Sequence, residues 1–190
     1  MVGEHVHEGI DEPSAWVARF APLVPRGGTV LDLASGNGRH TRYFLQRGHD
    51  VVAVDRDLSG IADLARNPRV EVLRIDLEAD EPFPPADRRF DGVVVTNYLH
   101  RPLLPGLVSA VEVGGVLIYE TYARGNERFG SPTNPDFLLQ PGELLEVVRG
   151  RLRVVAYEDL VVDEPRPAAV QRICAVQEKG FAYREMVPGE

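Results

Sequence analysis

Short apolar runs recur along this chain, separated by polar stretches in which glycine and proline concentrate. Residues 29–33, 50–54, 70–75, 92–96 and 116–119 are rich in valine, leucine and isoleucine and too short for buried helices. They read as strands covered on both faces. Between them, 41–47 ends at Gly48, 58–66 ends at Asn67 and Pro68, and 103–111 ends at Gly114 and Gly115, the signature of intervening helices. An earlier helix starts at Ser14, which can cap it, carries Trp16, Val17 and Phe20 on one face, and stops before Pro22 and Pro25. Strand and helix in alternation build a doubly wound α/β domain. After the fifth strand the rhythm changes: about 122–140 is polar and aperiodic, which marks a lid-like insertion. A helix at 143–149 then precedes two strands, 152–162 and 168–176, joined by a proline-rich link. With no helix between them they form an antiparallel edge hairpin, which completes a seven-stranded, mostly parallel sheet. A single domain is expected over 13–190, after an N-terminal tail of 1–12.

The run VLDLASGNGRHTRYFL, 30–45, joins the first strand to its helix through a glycine turn. Glycine permits sharp turns and close ligand approach, and a helix start presents unpaired N–H groups. A dinucleotide turn has the spacing G-x-G-x-x-G and rests a pyrophosphate on the helix. Here Gly36 and Gly38 are followed by Arg39, His40 and Thr41, so the third glycine is missing. Asp32 adds a negative charge near the turn, and Asp55, at the end of the next strand, can accept both hydroxyls of a ribose. The ligand these residues suit is a nucleoside with a cationic tail, which argues against a nicotinamide-dependent reductase.

The turn and the Asp55 spacing resemble motif I of the class I S-adenosylmethionine-dependent methyltransferases, whose Rossmann-like fold matches the element order above. The likeness extends over nearly the whole chain after Pro13. Within that superfamily the stretch FLLQPGELLEVVRGRLRVVAYEDLVV, with QRICAV, resembles the tellurite-resistance and thiopurine-type small-molecule enzymes. The resemblance implies S-adenosylmethionine as cofactor and S-adenosylhomocysteine as product. It implies that Asp32, Ala34, Ser35, Gly36, Asn37 and Gly38 cradle the methionine part, that Asp55 with Arg56 holds the ribose, and that Asp76 and Leu77 frame the adenine, with Thr96 at the end of strand four. Ala34 stands where glycine is usual, a change that costs little if its φ is negative.

On the substrate side, the sequence after strand four is TNYLHRPLLP. Methyl transfer from a sulfonium is an in-line displacement that needs alignment and exclusion of water more than a base. Tyr98 and His100 are placed to orient an acceptor, and Arg124, in the loop ETYARGNERFG, offers a planar fork to an anion. The Asn/Asp-Pro-Pro-aromatic sequence of many amino-methylating enzymes is replaced by TNYL, which weakens that subclass.

Composition narrows the partners. The formal net charge of −8 lacks the footprint of a protein that grips nucleic acid, and the family likeness with the Arg124 loop points instead to a small, soft or anionic acceptor. The lone cysteine, Cys174, lies in an apolar segment and points to a reducing cytoplasm. The acidic N-terminus has no apolar core, and no apolar run is long enough to span a bilayer. His5 and His7 have no nearby cysteine, so no metal site is expected. Two other readings stay open: a regulatory module that holds the cofactor without turnover, and a methyltransferase acting on nucleic acid or protein.

Overall fold

Seven strands form one sheet in the order β3-β2-β1-β4-β5-β7-β6. They are β1 (Thr29–Leu33), β2 (Asp50–Asp55), β3 (Val70–Arg74), β4 (Phe90–Thr96), β5 (Val111–Tyr122), β6 (Arg153–Val162) and β7 (Ala168–Val176). In this computed structural model, residues 12–79 and 87–179 are described. All but Glu12 of the expected tail, and with it His5 and His7, therefore lies outside the described residues. Strands β1 to β5 run parallel, and β7 pairs antiparallel with both β5 and β6, as expected of an edge hairpin.

Alternation along the strands divides the core into two layers. Val30, Val51, Val94, Val116 and Ile118 face α1 (Ala15–Phe20) and α2 (Arg39–Gln46), where Trp16, Val17, Phe20 and Phe44 pack. Leu31, Leu33, Val93, Val95, Leu117 and Tyr119 face α3 (Leu104–Ser109) and α4 (Glu143–Val148). Helix α1 starts as the sequence predicts: the Ser14 hydroxyl accepts from the Trp16 and Val17 N–H groups. Trp16 is anchored by its indole N–H, which donates to the Ile173 carbonyl at 3.2 Å.

Two expected elements differ. The helix expected over 103–111 ends at Ser109, and β5 begins at Val111, with a register shift opposite Phe90 and Gly92. Gly115 does not stop a helix. It makes room for the shifted ladder, because a Cβ there would sit 2.9 Å from the Phe90 carbonyl oxygen and 3.0 Å from that of Asp91. The element at 58–66 is a 3-10 helix, Ser59–Arg66, kinked at Ile61. Gly60 lets it press on the glycine turn, since a Cβ would lie 2.7 Å from the Asn37 Cα.

The segment 122–140 is tied down at its far end. Ala123 bridges Leu139, Leu138 and Leu139 are buried, and the buried Asn126 amide donates to the Gly130 and Pro132 carbonyls. Arg101 holds its exit: the guanidinium donates twice to Glu143, at 2.8 and 2.9 Å, and to the Asp136 and Leu138 carbonyls at 2.6 and 3.0 Å. Burial works to raise the Glu143 pKa, but the Arg101 and Gln140 hydrogen bonds outweigh it and hold the carboxyl below its ordinary value. Arg101→Ala strands this largely covered carboxylate and is expected to lower unfolding free energy by about 1 to 3 kcal/mol, read by urea denaturation.

Candidate functional site

Parallel pairing brings the carboxyl ends of β1 to β5 to one edge, and the strand order reverses direction between β1 and β4. Open α/β sheets bind ligands at such a switch point. A cavity of about 280 Å³ lies there, lined by Ala34, Ser35, Gly36, Asn37, Asp55, Arg56, Asp76, Leu77, Thr96 and Tyr98 among others.

The turn is built from left-handed residues. Ala34, Gly36 and Gly38 have φ of 55°, 54° and 76°. The positive φ at Ala34 means that the condition for a cheap substitution, a negative φ, is not met, because a Cβ in this region crowds the following carbonyl. Gly36 turns its N–H onto Asp55 Oδ2 at 2.8 Å, and Asp55 Oδ1 accepts from the Asp57 N–H at 3.0 Å. Each carboxylate oxygen keeps a second lone pair. Asp55 thus fixes the turn and retains the capacity to accept two further hydroxyls.

Asp32 and Gly38 do not line the cavity. Asp32 lies beneath the turn, 1% exposed, and accepts from the Thr41 hydroxyl at 2.6 Å. Burial pushes its carboxyl up to about 6 against the opposing Thr41 hydrogen bonds. The structure places it beneath the turn rather than on the cavity wall, where it fastens α2 to β1. Gly38 leads into α2 and is packed under Ile61.

Arg39 and His40, not singled out by the sequence reading, do line the cavity, with Ile75, Glu78 and Asn97. Their signal was position alone, on the first turn of the helix after the glycines. Burial and then the Arg39 charge push the His40 imidazole down to about 3, and its Nε2 accepts from the Ser14 N–H at 3.1 Å. The ring is neutral at pH 7, with its proton on Nδ1. Burial lowers the Arg39 pKa, opposed by the Glu120 and Asp32 carboxylates, and no ion pair within 4 Å holds the guanidinium among the described residues.

Of the acceptor-side candidates only Tyr98 reaches the cavity wall. His100 precedes the 3-10 turn Arg101–Leu103, its carbonyl accepting from Leu103 N–H. Arg124 is exposed, and its guanidinium meets the Gln140 amide oxygen at 3.1 and 3.2 Å when that amide is turned to accept. No group of acids, histidines or cysteines placed to hold a metal occurs among the described residues. No helix there is long and apolar enough to cross a membrane.

The fit to a nucleoside with a cationic tail is testable on the cavity itself. Among the described residues, two buried side-chain atoms have no hydrogen-bond partner, Ser35 Oγ and Tyr98 Oη, and both residues line this cavity. Buried polar groups are ordinarily satisfied, so these two orphaned hydroxyls fit a site that takes a polar ligand. Asp55, Asp76 and Glu78 outnumber Arg39 and Arg56 on the wall, which favours a cation.

Two outcomes follow. Ala34→Gly relieves the strained φ, offset in part by the freedom glycine has when unfolded, and should stabilise the chain by up to about 1 kcal/mol in thermal unfolding. Asp32 has a folded pKa above its ordinary 3.8, so its contribution to stability is full below that value and is lost as pH rises through about 6. His40 acts in the opposite sense, its contribution lost as pH falls below 6.5, but it is common to wild type and variant. Asp32→Asn should match wild type near pH 4 and exceed it by on the order of 2 to 3 kcal/mol at pH 7 in paired denaturation curves.

Residues 30–112 match the family described as "Methyltransferase domain". No curated protein sequence matches the chain. Among solved structures, TehB from Haemophilus influenzae is 19% identical with a TM-score of 0.69, over 91% of this chain and 64% of that one. The chain therefore spans just under two thirds of the length of TehB. The 1,6-didemethyltoxoflavin-N1-methyltransferase of Burkholderia thailandensis, with 1,6-didemethyltoxoflavin and S-adenosylhomocysteine bound, is 21% identical over 90% of this chain and 80% of that one, TM-score 0.65. A TehB-like SAM-dependent methyltransferase from Corynebacterium glutamicum is 21% identical over 86% and 87%, TM-score 0.60. The chain shares its fold with these methyltransferases, and its residues 30–112 match a methyltransferase domain.

Proposed function

We propose that this protein transfers the methyl group of S-adenosylmethionine to a small-molecule acceptor. The observation that carries this is the cavity at the switch point, where the glycine turn, Asp55 and two partnerless hydroxyls converge. The turn 34–38 would hold the methionine part, Asp55 and Arg56 the ribose, and Asp76 with Leu77 the adenine, with Thr96 at the end of β4. When bound, the cofactor supplies an electrophilic methyl group on a sulfonium and leaves as neutral S-adenosylhomocysteine, which needs no proton.

The protein's own task is then alignment and exclusion of water. His40 does not serve as a base: its pKa lies far below neutrality, and the nitrogen with the free lone pair is taken by the Ser14 N–H. An acceptor that arrives with its own lone pair, soft or anionic, would meet Arg39 on a wall where carboxylates otherwise prevail. Arg39, charged and without an ion pair within 4 Å among the described residues, attracts an anion to it. His100 and Arg124 belong to the outer approach on this reading, and 122–140 covers that side. The Burkholderia thailandensis structure, with 1,6-didemethyltoxoflavin bound, supports an acceptor of small size. A cytoplasmic location accords with the free, buried Cys174.

Isothermal titration with S-adenosylmethionine and, separately, with a reduced nicotinamide tests the reading. Saturable binding of the methyl donor alone is expected; binding of the nicotinamide alone, or of neither, overturns it. Methylated product from a panel of small acceptors separates an enzyme from a module that only holds the cofactor. Asp55→Ala should weaken S-adenosylmethionine binding by roughly tenfold or more, because it removes charge-assisted hydrogen bonds worth about 1.5 to 3 kcal/mol.

A further inference from the structure

Tyr98 sits where the chain leaves β4, and its backbone is fixed on both sides. Asn97 adopts a φ of 54° and donates its N–H to the Glu120 carbonyl at 3.0 Å. The Tyr98 carbonyl accepts from the hydroxyl of Tyr119, itself 1% exposed, at 2.8 Å. The ring is thereby held at the cavity wall, with its own hydroxyl buried and partnerless among the described residues.

Which end of the cavity it serves follows from the charges around it. Burial and then the Glu78, Asp76 and Asp55 carboxylates raise the phenol pKa, against the Arg56 guanidinium. These groups all stand at or just beyond the carboxyl ends of β2 and β3. A phenol in these surroundings keeps its proton and has a bond to donate, yet reaches none of the carboxylates.

We propose that Tyr98 is a cofactor-side residue whose hydroxyl donates a hydrogen bond to the nucleoside of the bound methyl donor, rather than a group that orients the acceptor. This rests on the reading of the cavity as a methyl-donor site. A nucleoside brings to the β2–β3 end the ring nitrogens and ribose oxygens that can accept from a phenol. The bond would also satisfy a buried donor that has no partner among the described residues.

The test is calorimetric titration of wild type and Tyr98→Phe with S-adenosylhomocysteine and with adenosine, alongside thermal unfolding of both proteins without ligand. The expected result is a loss of affinity of about 3- to 10-fold, equal for the two ligands, since both carry the nucleoside. The ligand-free variant should unfold at the same or a higher temperature, because phenylalanine removes only a hydroxyl that has no partner. Unchanged affinity for both ligands overturns the proposal, as does a loss confined to S-adenosylhomocysteine, which would put the hydroxyl at the amino-acid end. A lower unfolding temperature of the ligand-free variant overturns its premise. Wild type that binds neither ligand overturns the methyl-donor reading itself, and the assignment of Tyr98 falls with it.

Discussion

The hydrogen bond from the Gly36 N–H to Asp55 joins the ends of the two neighbouring strands β1 and β2, and the rest of the site is placed relative to it. The parallel ladder runs two residues past β1, with the Ser35 N–H donating to the Val54 carbonyl at 3.1 Å. The chain must then reverse within three residues to enter α2. Only left-handed backbone does this, and at Gly36 it aims the N–H at a carboxylate rather than at solvent. The bond leaves lone pairs on Asp55 at the mouth of the cavity. One interaction therefore shapes the turn and presents the recognition group.

Departures from ordinary protein economy gather around this point. Ala34 and Asn97 are the two non-glycine residues with positive φ among those described, one on each side of the switch point. A carboxylate is buried at Asp32, and two hydroxyls lack partners at Ser35 and Tyr98. Elsewhere caps, ladders and apolar faces agree with one another. Strain confined to one cavity within a consistent scaffold is the expected physical mark of a site shaped for a ligand.

Helix α1 takes part in this arrangement through its capping residue. Ser14 donates its hydroxyl to Glu120 at 2.7 Å while its N–H reaches His40, so the helix start is tied to the ends of both β5 and the glycine turn. Arg172 on β7 completes the link. It pairs with Glu120 at 3.2 Å and with Glu158 on β6, and lies 4.8 Å over the Trp16 ring. The edge hairpin therefore buttresses the far side of the cavity as well as closing the sheet.

Local sequence was enough to locate the strands, the Ser14 cap, the glycine turn and the acid at the end of β2, because each depends on residues within a few positions of one another. Val30, Leu31 and Leu33 state a covered strand, and Gly36 and Gly38 state a turn, in any context. Other features depend on neighbours distant in the chain. Gly115 read as a helix stop because its true contacts, the Phe90 and Asp91 carbonyls, are more than twenty residues away. Asp32 read as a ligand-facing acid because nothing in the sequence says which side of the sheet the Thr41 hydroxyl will reach. Arg39 and His40 gained their places on the cavity wall from the direction of α2, and His100 and Arg124 lost theirs to the path of the chain after β4 and β5. The sequence by itself determined the sheet and its switch point, since periodicity and turn chemistry are local. Tertiary structure alone decided which side chains line the cavity there and which are protonated, since direction, burial and charge are set by the whole assembly of elements.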